Sequence, residues 1–347
     1  MSRCYQAAPG VELVTLDGGA VLFRSDTVSC RLEGTSASLV AGELWPRLDR
    51  WRALEELAAA LPDYASTSIG VMLDELTGVG LVQARSGPPP APAPASPAGL
   101  ALAALGGDPA DGAERLAALR LGVFGLGRVG ALLAESLAQA GVGGLLLADP
   151  GVDGRLAGAV GQVAAIAPAT RLLSAPDQWT RETVAEAVAD LDLTICVVDR
   201  GHLAARHWVN QAALATGRPA LFGELTLAGA LVGPLVLPGE SACYMCLRMR
   251  HLATLDEFAN AFAYERDLDA RRQPDPDRPV FPGLAEACAG LLAAEAIKLL
   301  FGPLRPGCIN AVLELEILEP ALRRHVLLQR PDCPHCAGLD TAVRVGV

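Results

Sequence analysis

RLGVFGLGRVGALLAESLAQAGVGGLLLADP, residues Arg120 to Pro150, sets the architecture of this 347-residue chain. Leu121 to Phe124 reads as a short apolar strand. Gly125, Gly127 and Gly130 follow it directly as G-x-G-x-x-G. A helix comes next, with Val129, Leu132, Leu133 and Leu137 on one face and Gly141 as a C-terminal stop. A second apolar strand, Leu145 to Ala148, ends at Asp149. Strand, glycine turn, helix, strand and acid together make the nucleotide-binding unit of an α/β domain. Glycines let the backbone approach a pyrophosphate, the helix N-terminus attracts its charge, and the acid can hold a ribose hydroxyl.

The α/β rhythm continues downstream. Arg171 to Leu173, Leu193 to Val198 (ending at Asp199) and Pro219 to Phe222 read as strands, with helices over Thr180 to Leu191 and Ala204 to Thr216. Ala228 to Leu237 reads as an antiparallel excursion, so a mixed sheet is expected. Two C-x-x-C knuckles stand apart, Cys243-Tyr-Met-Cys246 and Cys333-Pro-His-Cys336. Each can present two thiolates from one loop, and together they suit tetrahedral Cys4 coordination of a structural Zn2+. Such a site is closed, so it implies stability rather than catalysis. A thioredoxin-type redox role fits less well, because neither pair opens a helix behind the first strand of a βαβ unit. His335, between two ligands, is expected at the surface. Cys4, Cys30, Cys196, Cys288 and Cys308 read as small buried apolar residues.

Upstream, residues 84–100, ARSGPPPAPAPASPAGL, form a Pro/Ala spacer of extended character, and residues 101–119 can add a short helix. The expected division is 1–85, a linker over 86–115, and 116–347. The first part carries β signals at Val11 to Leu16, Ala20 to Arg24 and Thr27 to Leu32, with turns at Asp17-Gly18-Gly19 and Arg24-Ser25-Asp26. Three helical segments follow: one capped by Thr35, one over Trp51 to Leu61, and one opening at Ser66 or Thr67. Ile69, Met72, Leu73 and Leu76 share a face of the third. Leu81-Val82 can return as a wing, which gives a small winged helix.

Bulk properties narrow the classes. The composition is 51% hydrophobic, as for a globular protein, and the net charge of −11 disfavours nucleic-acid or anionic-membrane surfaces. No apolar run reaches the ~18 residues of a membrane span, and MSRCYQAAPG has no signal-peptide core. The expectation is a cytoplasmic protein, with its nine cysteines serving as metal ligands or buried thiols. Lys298 is the sole lysine.

Two resemblances follow from these stretches. GLGRVGALLAESLAQAGVGGLLLAD, VVDRGHLAARHWVNQAALATGRPAL, ACYMCL, ACAGLLAAEAIKLLFG and CPHC, in that order over about residues 118–340, are similar to the E1-like, ThiF/MoeB adenylating superfamily. Active members bind ATP and Mg2+, activate a C-terminal carboxylate as an acyl adenylate, and are commonly homodimers. This chain departs from them. After Asp149 comes PGVDGRLAGAVGQ, with Gly151 near the place of a second acid and no Asn-Leu-x-Arg-Gln run; Arg155 is in reach of that role but out of context. The phosphate-contacting lysine is missing, Arg-Gly-His follows Asp199, and no crossover-loop cysteine lies in 247–287. Groups that stabilise transition-state charge are therefore absent. The resemblance implies a vestigial nucleotide site at Gly125, Gly127, Gly130, Asp149 and Asp199, with no catalytic residue.

The element order over residues 5–85 resembles the RiPP recognition element of PqqD-like proteins. In that module a leader peptide adds as a strand beside the third strand and packs on the third helix. Carried over, the groove is Val28, Cys30 and Leu32 with Ile69, Met72, Leu73 and Leu76. The alternative is an ordinary winged helix whose apolar stripe is all core. Joined to a degenerate ThiF-like domain, the module resembles the ocin-ThiF-like (F protein) family of azole-forming RiPP clusters, which make thiazole/oxazole-modified microcins and thiopeptides. That implies a scaffold that binds a precursor leader and delivers it to a YcaO cyclodehydratase. Two rivals are an active ATP-dependent enzyme that adenylates a peptide and a nicotinamide-dependent oxidoreductase; the paired knuckles and the AEAIKLL helix argue against the latter. Residues 251–281, charged and Pro-flanked, read equally as a partner-docking surface or a solvated crossover loop. Glu224 reads as a cleft or surface acid, and His202 and His207 do not form a facing pair.

Overall fold

The computed structural model describes residues 3–25, 28–34, 39–87, 109–149, 154–173, 175, 179–198, 203–271, 279–301 and 304–338. The Thr35 cap, residues 88–100 of the Pro/Ala spacer, residues 150–153 after Asp149, Asp199 and His202 lie outside the described residues, whereas the start of the spacer belongs to β6 (Val82–Ser86). The chain divides into two units, Met1–Arg115 and Leu116–Val347.

In the first unit, β1 (Arg3–Ala7), β2 (Glu12–Thr15), β3 (Val21–Arg24) and β4 (Ser29–Leu32) precede two short turns of helix, a π turn at Val40–Leu44 and a 3-10 turn at Trp45–Arg47. Then come β5 (Arg52–Ala53), α1 (Leu54–Ala60), α2 (Ser66–Gly78) and β6 (Val82–Ser86). Strands β2, β3 and β4 form an antiparallel meander in that order. Its first turn is Asp17-Gly18-Gly19: both glycines take positive φ, +84° and +82°, and Leu16 N–H closes the hairpin on Ala20 O at 2.8 Å. The core gathers Phe23 from β3, Leu57 from α1, and Ile69, Leu73 and Leu76 from α2.

The winged-helix expectation is not confirmed. Residues 82–86 do not stand as a free wing. They form β6, which pairs antiparallel with β1, and β1 also pairs with β5, making a second three-stranded sheet. β1 had no β signal in the sequence: RCYQA lacks β-branched residues, and its pairing partner lies roughly 80 residues away. The first expected helix is a wide π turn over Val40–Leu44 followed by a 3-10 turn over Trp45–Arg47, whose Pro46 cannot donate to a helical ladder.

Helix α3 (Pro109–Ala118) leads into the second unit. There the elements are β7 (Arg120–Phe124), α4 (Arg128–Ala140), β8 (Gly144–Ala148), α5 (Arg155–Ile166), β9 (Arg171–Leu173), α6 (Arg181–Ala189), β10 (Leu193–Cys196), α7 (Leu203–Thr216), β11 (Ala220–Leu225), β12 (Gly229–Val236), α8 (Tyr244–Ala253), α9 (Phe258–Arg271), α10 (Leu284–Phe301), β13 (Ala311–Glu316) and β14 (Ala321–Val326). The sheet order is β14-β13-β12-β11-β10-β7-β8-β9. β9, β8, β7, β10 and β11 run parallel, and β12, β13 and β14 extend the sheet antiparallel.

The mixed sheet follows from the sequence. Runs such as LLLA and LTIC are buried throughout, as strands covered on both faces must be. Phe124, Leu146 and Cys196 point into a core closed by α6 and α7. Alternate residues face the other side, where α4 packs against α5 and α10. Thr180 caps α6 with a reciprocal pair of bonds to Thr183, at 3.2 Å from Thr183 N–H and 3.0 Å from its own N–H to Thr183 Oγ1. No helix among the described residues is long and apolar enough to cross a membrane.

Candidate metal centre and nucleotide cleft

The strand order reverses between β7 and β10. In open α/β sheets, such a switch point opens a crevice at the carboxyl ends of the strands. Gly125 leaves β7 with φ +97°, and a Cβ there would lie 2.6 Å from Val198 Cα. Gly130, in the first turn of α4, would place a Cβ 1.8 Å from Gly125 O. These two glycines therefore let helix, turn and β10 close on one another. Gly127 is the N-cap of α4 and offers no side-chain cap, so the first-turn N–H groups face the crevice as an anion-binding end would require. Asp149, at the tip of β8, accepts a short hydrogen bond from Leu126 N–H. That bond fastens the glycine turn to the neighbouring strand.

Beside the crevice lies an ion pair that sequence reading left unassigned. Arg206 of α7 is 4% exposed; its Nη1 reaches Glu224 Oε2 at 2.7 Å and its Nη2 donates to Val198 O at 2.8 Å. Burial works against its charge, but Glu224, Tyr244 and Cys196 outweigh that and raise its pKa. Glu224 is thus a structural counter-ion joining α7 to β11. His207 stacks edge-on to Tyr244 and to His335, within the packing around the knuckles. Arg248 of α8 lies over the Phe262 ring of α9 and pairs with Glu265 there, while Phe262 and Tyr264 are exposed.

The two knuckles meet. Cys243, Cys246, Cys333 and Cys336 are all buried and reduced, with their Sγ atoms within 4.8 Å of one another. Sγ separations are 3.5 Å for Cys246–Cys336, 3.7 Å for Cys243–Cys333 and 4.0 Å for Cys243–Cys246. A tetrahedron of sulfurs about 2.3 Å from an ion has edges of roughly 3.8 Å, so this set could hold a metal ion. It is too wide for disulfides, which need about 2.05 Å.

Cys243 is the N-cap of α8 and Cys246 lies in its first turn, where the helix dipole favours thiolate. The helix follows the antiparallel β12, not the first strand of a βαβ unit. Arg330 N–H donates to Cys246 Sγ at 3.4 Å. Burial, above all, pushes the Cys243 thiol up, and Cys336 to about 11. Burial also acts on Cys333, but backbone N–H groups of His335 and Cys336 outweigh it and leave that thiol below its ordinary value.

Three side chains position this centre, and no motif announced them. Asn310, at φ +51°, accepts Ala242 N–H at 2.8 Å. Ser241 Oγ accepts Leu237 N–H at 2.7 Å. Asn210, fully buried on α7, bonds to both knuckles: Tyr244 N–H donates to its Oδ1 at 3.0 Å, and its Nδ2 meets His335 Nδ1 at 2.9 Å. His335 is accordingly half-buried rather than at the surface, and burial, then the charge of Arg181, lowers its pKa.

Of the other cysteines, Cys4, Cys196, Cys288 and Cys308 are buried and Cys30 is intermediate. Cys308 is more than an apolar filler. Its N–H and Sγ both donate to buried Glu295 Oε2, at 2.9 and 3.0 Å, while Lys298 Nζ meets Oε1 at 2.6 Å. The sole lysine thus serves a structural pair within α10.

On the first unit, the residues expected to form a peptide groove separate. Ile69, Leu73 and Leu76 are core. Val28, Cys30, Leu32 and Met72 are only partly buried around it. β4 is an outer strand of its sheet, paired with β3 alone among the described residues.

A parallel α/β sheet with a glycine turn at its switch point, extended by antiparallel strands and pinned by paired knuckles, defines a Rossmann-type domain with a Cys4 centre. Residues 154–335 match the ThiF family, just over half of the chain, and the protein belongs to that family. No curated relative matches it. Among solved structures it is similar to E. coli MccB with MccA-N7isoASN (16% identity, TM-score 0.70, covering 97% of this chain and 100% of that one). It is also similar to the microcin C7 biosynthetic enzyme MccB in complex with N-formylated MccA (16%, 0.65, 96% and 99%) and to PaaA (15%, 0.66, 92% and 99%). At these identities the likeness is one of fold, and it runs the length of each chain.

Proposed function

We propose that this protein is a leader-binding scaffold of RiPP biosynthesis, which holds a ribosomal precursor peptide and delivers it to a YcaO cyclodehydratase for thiazoline or oxazoline formation. The observation that carries the peptide-binding part is the full-length likeness to MccB, crystallised with MccA. In this reading residues 1–85 are the recognition element and 86–115 the tether. The leader adds as a strand on the outer edge of β4, where backbone hydrogen bonds give affinity and side-chain pockets give choice. Val28, Cys30, Leu32 and Met72 would touch it. Ile69, Leu73 and Leu76, being buried, would support that surface from behind. The Cys4 centre holds a structural Zn2+, the protein works in the cytoplasm, and it is a homodimer. The crevice at Gly125, Gly127, Gly130, Asp149 and Asp199 is vestigial, because the phosphate-contacting lysine and the second acid have no counterparts in the sequence and Arg155 stands out of the context of the arginine that would neutralise phosphate charge. Delivery needs no chemistry here: tethering raises the local concentration of the core peptide at the partner's active site.

A second reading, ATP-dependent adenylation of a peptide, is favoured by the open N-terminus of α4 and by the likeness to MccB solved with ATP (16% identity, TM-score 0.64, covering 96% of this chain and 99% of that one). One assay separates them. Full-length protein with a candidate precursor peptide is expected to bind the peptide, by fluorescence anisotropy, and to give no peptide-dependent ATP–pyrophosphate exchange. Robust exchange sinks the scaffold reading and supports adenylation; failure to bind any leader sinks both.

A further inference from the structure

We infer that Asn210 is the residue that registers the two cysteine knuckles on each other, an inference that rests on the Cys4 metal reading above. The two halves of the centre come from segments 90 residues apart: Cys243 and Cys246 from the β12–α8 turn, Cys333 and Cys336 from the segment after β14. One buried amide spans them. Tyr244 N–H can only donate, so the Asn210 oxygen faces it and the Asn210 amino group must face His335. His335 Nδ1 therefore accepts, and the imidazole is neutral with its proton on Nε2. Gln211 then offers its oxygen, not its nitrogen, to that Nε2–H across 3.3 Å.

Tyr244 follows Cys243 directly, and His335 lies between Cys333 and Cys336. Fixing these two residues on the one side chain of α7 fixes where each thiol pair sits before any ion arrives. Asn310 and Ser241, by contrast, hold the first knuckle alone. Asn210 is a positioning residue: it acts on the thiols through neighbours of the ligands, the backbone N–H of Tyr244 and the ring of His335, in the manner of outer-shell partners at metal sites.

The test uses full-length protein and Zn2+ itself. Asn210→Leu removes both the acceptor for Tyr244 N–H and the donor to His335; an aspartate would instead accept from the imidazole in its other tautomer and restore the link. Transfer of Zn2+ to 4-(2-pyridylazo)resorcinol is expected to quicken about tenfold in Asn210→Leu. His335→Ala should also quicken it, and the double variant should be no faster than Asn210→Leu alone, because both break the same link. Gln211→Ala should release Zn2+ at the unmodified rate. In the unmodified protein, nitrogen-15 spectra of labelled histidine should show one buried ring protonated at Nε2. Unchanged Zn2+ release from Asn210→Leu, additive singles, or a His335 proton on Nδ1 each overturns the inference. A purified chain without Zn2+ sinks the Cys4 reading instead, while the histidine spectrum still decides the Asn210–His335 bond.

Discussion

Single glycines in this chain do different jobs, and the backbone separates them. Gly130 has ordinary helical geometry but no room, because a Cβ would sit 1.8 Å from Gly125 O. Gly141 has room but φ +99°, closing α4 in the left-handed region. Gly130→Ala must push α4 off β7 and is expected to cost about 3 kcal/mol. Gly141→Ala only strains one residue, at about 1–2 kcal/mol. Urea melts of the two variants check the order; a Gly141→Ala variant less stable than Gly130→Ala overturns it. Both glycines stood out in the sequence through their motif and spacing. Asn210, Glu295 and Arg206 did not, since a polar residue inside a helix carries no mark until the fold shows that it is buried and what it faces.

At the scale of elements, legibility followed contact distance. α4, α6 and α7 were visible from their periodicity, and the parallel strands from unbroken apolar runs, because each is written within a few neighbouring residues. β1 was not, since its partner β6 lies across the whole first unit, and β6 itself was expected only as a wing from Leu81-Val82, without its pairing to β1. The knuckles were legible as a pair by spacing alone, although roughly ninety residues separate them. They have an elemental consequence. Residues 327–338 after β14 have little regular structure and are held by Cys333, Cys336 and the Cys246–Arg330 bond. Stripping the metal with a chelator is expected to raise amide exchange sharply over residues 329–337 and at the first turn of α8, while β7, β8 and β10 keep their protection. Equal loss across the sheet would show the centre to support the whole domain rather than its last segment.

For the molecule as a whole, the likeness to MccB and PaaA reaches from one end of the chain to the other, although few residues are shared. What is shared at such identity is the fold. The function was harder to read than the fold, because it turns on single polar groups rather than on runs of apolar residues. A leader that binds the native chain but not the unfolded one must stabilise it. At a hundredfold excess over its dissociation constant the gain is about 2.7 kcal/mol. A thermal scan of the full-length protein should show it as an upward shift of the transition that includes α2 and β4. A peptide that binds without moving any transition would have to sit on residues outside the folded units.

The ordering of the thiols along the chain sets a sequence of events during biosynthesis. Cys243 and Cys246 are made first and can recruit an ion with two sulfurs, leaving it exchangeable. Cys333 and Cys336 follow only once β13 and β14 have been made, so enclosure by four sulfurs would come after them. On the Cys4 reading, a tightly held ion would thereby report that the strands of the far sheet edge have been synthesised.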